Sequence, residues 1–256
     1  MLENYLREER KQKDILLMTH IVVGYPTLED SYAVVKAMVA AGVDLMELQI
    51  PFSEPIADGP VILKANQQAL ARGLTVQQCM DFAERVARDF SIPFLFMTYY
   101  NILFKYGVPE FARAMASRGL RGAIVPDLPP EEGSAYLEVM GQNNLAPIFI
   151  FAPTSSPERL QRISRHARGF VYCVARKGVT GQQTDFSREL DAYLDRCRQA
   201  TDLPLALGFG VKNKADIDFL TGKVDIAVIG TQTIRIMDQQ GVGAVEEFIA
   251  GLRARK

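Results

Sequence analysis

The chain is poor in the residues that metal and redox chemistry use. Its 256 residues include two histidines and three cysteines. His20 and His166 fall on separate predicted elements and no CxxC or HxxxH spacing occurs, so no metal site is expected. Cys79, Cys173 and Cys197 are odd in number and widely spaced, which suits a reduced, cytosolic chain and not a disulfide framework. No excess of basic charge exists, since the formal net charge is −1, so no overall field would hold a nucleic acid or an anionic membrane. No apolar run reaches the roughly 18 residues that span a bilayer, and no low-complexity or Ser/Gly linker interrupts the sequence. The opening "MLENYLREERKQKD" is charged where a signal peptide would be apolar. These absences lead to one soluble domain over residues 1–256, cytoplasmic, acting on a small molecule.

What is present is apolar content enough for a large core, 48% of the chain, which fits two small domains or one barrel or sandwich. Short apolar runs recur at 15–23, 43–50, 92–99, 121–126, 146–151, 169–174, 203–208 and 224–230, giving eight candidate strands. Between them lie stretches with apolar residues at i, i+3, i+4 and i+7, such as 29–42, 110–119, 131–143 and 214–222, which predict amphipathic helices. Near-continuously apolar strands alternating with helices over eight units predict an α/β TIM barrel, (β/α)8. Additions are an N-terminal helix at about 2–12, a second helix at about 75–90 following strand 2, and a last one in "GVGAVEEFIAGLRARK". The competing open doubly wound sheet lacks its usual GxGxxG, because "VVGYPT" follows strand 1.

In such a barrel the active site is built at the C-terminal strand ends, and alternate strand residues point inward. The stretch "MELQIPFSEPIADGP" spans one of those ends and holds three carboxylates. Alternation turns Met46, Leu48 and Ile50 toward the helices and Glu47 and Gln49 into the barrel. Glu47 is either a buried glutamate paired with a lysine or arginine or an unpaired acid, and the other barrel strands offer no obvious inward cation. An unpaired carboxylate in apolar surroundings has a raised pKa and can both give and take a proton near neutral pH. Asp58 precedes Gly59 and Pro60, where Pro60 suits a first helical position; it acts on substrate or merely shapes that helix entry. Glu54, between Ser53 and Pro55, faces solvent, a partner or substrate.

Glycine clusters follow strands 6, 7 and 8: "RKGVTG", "GFGVKN" and "IGTQTI". Glycines let backbone N–H groups approach an anion, and helices that start there add their positive ends. Loops after strands 7 and 8 often hold phosphate in this fold, so Gly181, Gly210, Gly230 and Thr231 form a candidate cradle, or are turn residues. Tyr172 and Phe209 line an aromatic-sized pocket or serve as packing. No nucleotide P-loop or GxSxG elbow is present. The remaining pattern is carboxylate acid–base chemistry on a phosphorylated small molecule.

"MELQIPFSEPIADGP" resembles "LELGVPFSDPxADGP", the motif around the catalytic glutamate of the tryptophan synthase α subunit family. "GYP" 24–26, "YYN" 99–101, "VPDLPPEE" 125–132, "PIFIFAPT" 147–154, "GVTG" 178–181, "GFGV" 208–211 and "VIGT" 228–231 fall in that family's order and spacing along nearly the whole chain. The resemblance implies a lyase that cleaves indole-3-glycerol phosphate by a retro-aldol reaction and passes indole to a β subunit carrying PLP. It implies no cofactor in this subunit and an α2β2 assembly. By position, Glu47 matches the acid–base glutamate, and Asp58 the aspartate that stabilises charge on the indole nitrogen. Tyr172, Phe209, Met97, Ile124, Pro126, Ile150 and Tyr99 match the indole pocket, and Gly181, Gly210, Gly230 and Thr231 the phosphate site. Arg176 and Thr180 belong to the loop that closes over Asp58 in the family, and Glu54 stands where an aspartate commonly meets the β subunit.

The chain departs from the family at Gln49, where glycine is usual. Gln49 lies on the inward face about 7 Å along the strand from Glu47, placed to hydrogen-bond Glu47 or crowd the pocket. Val22 replaces a common threonine and Thr231 a usual serine. Two other functions compete: a Schiff-base aldolase using Lys177, and a module that has lost efficient lyase activity and mainly activates its β partner.

Overall fold

The computed structural model describes residues 1–175, 183–208 and 210–253, those at 183–187 by their backbone alone. Eight parallel strands close into a barrel in chain order: β1 (Leu16–Val22), β2 (Leu45–Gln49), β3 (Phe94–Met97), β4 (Gly122–Ile124), β5 (Ala146–Phe151), β6 (Val171–Val174), β7 (Leu205–Gly208) and β8 (Ile226–Ile229), with β8 returning to β1. Each lies within a predicted run. The fourth is shorter than its run of 121–126, since the chain turns at Pro126, which has no N–H to give a ladder.

The predicted additions are helices α1 (Leu2–Arg10), α4 (Val76–Asp89) after α3 (Pro60–Ala71), and α12 (Val242–Arg253) after α11 (Thr231–Gln240). A further pair, α5 (Tyr100–Tyr106) and α6 (Val108–Ser117), follows β3, where the sequence reading had singled out only the second. Pro60 does occupy the first position of α3, behind Gly59 as N-cap. Thr75 and Gln78 start α4 with a reciprocal capping box. Among the described residues no helix is long and apolar enough to cross a membrane.

Strand alternation divides the core into two layers. Leu17, Ile21, Met46, Leu48 and Ile50 pack against the helices, while Leu16, Met18, Leu45, Leu95, Met97, Ile124, Ile148 and Ile226 fill the barrel. Leu2 and Leu6 of α1 join the inner layer, so this helix closes the N-terminal end. Gly169 makes room for it: a Cβ there would lie 2.9 Å from Leu2 Cδ2, at a φ of +79°.

Charges fasten the same closed end. Asp44, 1% exposed, receives the Leu17 N–H at 2.6 Å and pairs with Lys13 at 2.6 Å and with Arg253 of α12. Asp225 likewise takes the Leu205 N–H at 2.8 Å and pairs with Arg198 at 2.8 Å and Arg10 at 3.4 Å. These bonds tie the terminal helices to strand ends far from the barrel mouth. Asp44→Ala is expected to lower unfolding stability by about 3 kcal/mol, the low end for a broken buried pair because both cations keep some solvent. Urea unfolding measures it, and a loss below about 0.5 kcal/mol, the usual range for surface substitutions, would show that the network is idle.

Candidate active site

At the C-terminal end of the barrel the inward side chains turn from apolar to polar. On β1 the inward series runs Leu16, Met18, His20, and on β2 it runs Leu45, Glu47, Gln49. The strands pair with Met18 beside Leu45, His20 beside Glu47 and Val22 beside Gln49. That register brings His20 Nδ1 to 3.1 Å from Glu47 Oε1, with the side chains 4% and 5% exposed. Glu47 is therefore not the unpaired carboxylate expected from sequence. The inward cation that the sequence did not reveal is a histidine, His20 of β1.

Burial by itself disfavours the imidazolium of His20, but the hydrogen bond and charge of Glu47, the charge of Asp58 and the Gln49 side chain outweigh it, so its pKa lies above the ordinary value. The stability this pairing adds is complete below the ordinary imidazole range and is lost as pH rises through the folded value.

Gln49 does not bond Glu47. Its Nε2 donates to Asp58 Oδ2 at 2.6 Å, because the loop after β2 folds Asp58 back over the strand end. Asn66 of α3, fully buried, holds that loop: its Nδ2 donates to Ile62 O at 2.8 Å and to Asp58 Oδ2 at 3.4 Å, and its Oδ1 accepts the Phe52 N–H at 2.9 Å. The Tyr99 hydroxyl accepts the Ala57 N–H at 3.1 Å and bonds Asp58 as well. Asp58 thus shapes no helix cap, since Gly59 is the N-cap of α3. Burial raises its pKa and the Glu47 charge adds to that, while the bonds from Gln49 and Tyr99 and the charge of His20 oppose it.

Apolar walls surround the two acids. Met97, Tyr99 and Ile124 are buried in the inner cluster, and Ile150, Tyr172 and Phe52 pack half-buried against it. Phe52, absent from the sequence-based set, stacks on Tyr99 with centroids 5.0 Å apart. Tyr172 lies in the field of both Glu47 and Asp58; burial first and then those charges push its hydroxyl well above the ordinary value. Its ring rests on Gly208, where a Cβ would come within 3.1 Å of Cε1 and of the hydroxyl. Pro126 is half-buried at the turn after β4. Val22, with Tyr25, Ala65, Ala69 and Ile234, forms a separate apolar cluster.

Gly210 lies past β7 at a φ of +77°, with open space where a Cβ would be. Gly230 caps α11, whose first residue is Thr231; it brings no capping side chain, and the Thr233 N–H bonds Gly230 O at 3.1 Å. Glu54 is exposed, beside Ile56 at 81% exposure, and Phe104 of α5 is 70% exposed. Arg176, Lys177, Thr180, Gly181 and Phe209 lie outside the described residues. Among the described residues no group of three His, Cys, Asp or Glu side chains is arranged to hold a metal ion.

The family profile for the tryptophan synthase alpha chain matches residues 6–252. The chain belongs to that family. It is 66% identical over 253 residues to the tryptophan synthase alpha chain of Syntrophotalea carbinolica, covering 99% of this chain and 100% of that protein. To the alpha chain of Desulforapulum autotrophicum it is 64% identical over 252 residues, with 98% and 100% covered. A crystal structure of Mycobacterium tuberculosis tryptophan synthase in an aminoacrylate-bound form superposes with a TM-score of 0.90 at 29% identity, covering 98% of this chain and 97% of that one. The alpha-chain family is one of carbon–carbon lyases in tryptophan biosynthesis, and this alpha chain is such an enzyme.

Sequence reasoning missed three residues around the acids of this alpha chain. His20 was findable, being two and four residues along the inward face from Met18 and Leu16. Asn66 and Phe52 carried no such signal, because their contacts depend on how the loop folds. Gln49→Gly is expected to raise the Asp58 pKa further, since burial then acts without its strongest opponent. Carboxyl ¹³C titration measures it; an unmoved or lowered Asp58 midpoint would refute the bond.

Proposed function

We propose that the site cleaves indole-3-glycerol phosphate to indole and glyceraldehyde 3-phosphate, with Glu47 moving the protons and Asp58 answering the charge on the indole. The carrying observation is that two carboxylates in unlike settings share one barrel mouth: buried Glu47 beside His20, and half-buried Asp58 bonded by Gln49. Indole leaves poorly until C3 is protonated. Glu47 in its acid form gives that proton, and the ring nitrogen becomes an iminium that the Asp58 carboxylate stabilises. Glu47 then takes the proton of the adjacent glycerol hydroxyl; its O–H electrons form the aldehyde C=O as the C–C bond breaks. The released pair restores neutral indole, and the glutamate regains its proton.

Around this chemistry Met97, Tyr99, Ile124, Pro126, Ile150 and Tyr172 hold indole, joined by Phe209 on sequence grounds. Gly210, Gly230 and Thr231, with Gly181 by sequence, hold phosphate. The uncapped terminus of α11 supports that role through its N–H groups and positive end. The subunit needs no cofactor, PLP belonging to a β partner in an α2β2 assembly in the cytoplasm. Exposed Ile56 and Phe104, with Glu54, suit a surface covered by that partner.

Indole release from indole-3-glycerol phosphate, measured with and without a β subunit, tests this reading. Glu47→Gln is expected to lower kcat by ~10²–10⁴ and Asp58→Asn by ~10²–10³. A fully active Glu47→Gln protein would refute the roles, and an inert wild type with β present would refute the reaction.

A further inference from the structure

Inside the barrel Glu47 has a strand neighbour on each side. On β3 it is Leu95, which offers nothing polar, and on β1 it is His20. Among the described residues His20 is the side chain within ion-pair distance of Glu47, at 3.1 Å. On its other side His20 adjoins Gly230 at the β8 end, where an added Cβ would sit in ordinary van der Waals contact, 3.4 Å from His20 Cβ and 3.7 Å from Cγ. His20 thus stands between the acid–base residue and the phosphate end of the mouth.

A carboxylate that serves two substrate atoms in turn must present one oxygen to both. Glutamate has three side-chain torsions, and an unheld carboxylate would spread its population over several orientations. We propose that His20 is the positioning residue of Glu47: its Nδ1–H holds Oε1 and leaves Oε2 as the oxygen that exchanges protons with substrate. The inference rests on the lyase reading above, and nothing in the family motif assigns it.

The ionisable groups that face His20 are Glu47 from β2 and Asp58 from the loop after it. Tyr172 of β6 lies in the field of the same two acids, Tyr99, the N-cap of α5, bonds Asp58, and the β8 end, residues 226–231, carries no ionisable side chain. The imidazolium carries a proton on both ring nitrogens, so Nδ1 always has an N–H to offer Oε1. Once His20 loses its charge at higher pH, the Nδ1–H that faces Glu47 remains but loses its charge assistance, and Glu47 is held less firmly.

Two measurements test this. In wild type, kcat for indole release should fall on the alkaline side as His20 loses its proton. His20→Leu should lower kcat by ~10–100-fold, as loss of a residue that orients a working group does, with KM changed less than ~3-fold. His20→Asn, which offers an N–H that does not titrate, should recover most of the lost turnover and flatten the alkaline limb. An unchanged kcat and pH profile in His20→Leu would overturn the proposal. Separately, His20 and exposed His166 are the chain's two histidines, so imidazole NMR titration follows His20 without substrate. Its midpoint should drop in Glu47→Gln; an identical midpoint overturns the pairing whatever the activity. A wild type that releases no indole overturns the lyase reading alone, since the titration still decides the pairing.

Discussion

The barrel mouth depends on one strand register. Pairing β1 with β2 so that His20 lies beside Glu47 and Val22 beside Gln49 decides which carboxylate meets which partner. In a parallel sheet neighbours on one face repeat every two residues, and a slip of one would turn the slipped strand's two side chains out of the barrel. The inner apolar layers below, from Leu16 and Met18 through Leu45 and Leu95, hold that register because they have no other place to be buried.

The register also shows how two acids are kept in a largely apolar mouth. Burying a lone carboxylate is costly, and each acid here has a donor suited to it. Glu47 faces a histidine whose charge it sustains, while Asp58 accepts from the neutral amides of Gln49 and Asn66. Gln49, the least expected residue of the motif, leaves Glu47 alone and restrains the loop residue. The Asn66 and Tyr99 bonds then fold the loop after β2 against Phe52, linking the acid to the aromatic wall. The opposite end of the barrel has a different task, closed by Leu2 and Leu6 and by the bonds of Asp44 and Asp225.

Much of this was legible beforehand for physical reasons. Strand runs of two-sided apolar residues alternating with helices leave a barrel or a doubly wound sheet, and all eight strands fell inside their predicted runs. Alternation correctly turned Glu47 and Gln49 inward, since side-chain direction in a strand is a local property. Pro60 marked the start of α3 because its ring presets the helical φ. The partners of those side chains were not legible. Glu47 was expected to be unpaired, and Gln49 to bond Glu47 or crowd the pocket; the His20–Glu47 pair and the Gln49–Asp58 bond arise instead from contacts that strand pairing and loop folding create.

The sequence by itself determined the barrel, the inward set and the family, since each rests on local periodicity or on a motif read in order. Tertiary structure alone decided that His20 pairs with Glu47, that Gln49 and Asn66 hold Asp58, and that Phe52 stacks on Tyr99. Hydrogen bonds and ring contacts act over about 3–5 Å, and only the closed barrel and its folded loop bring those atoms within that reach.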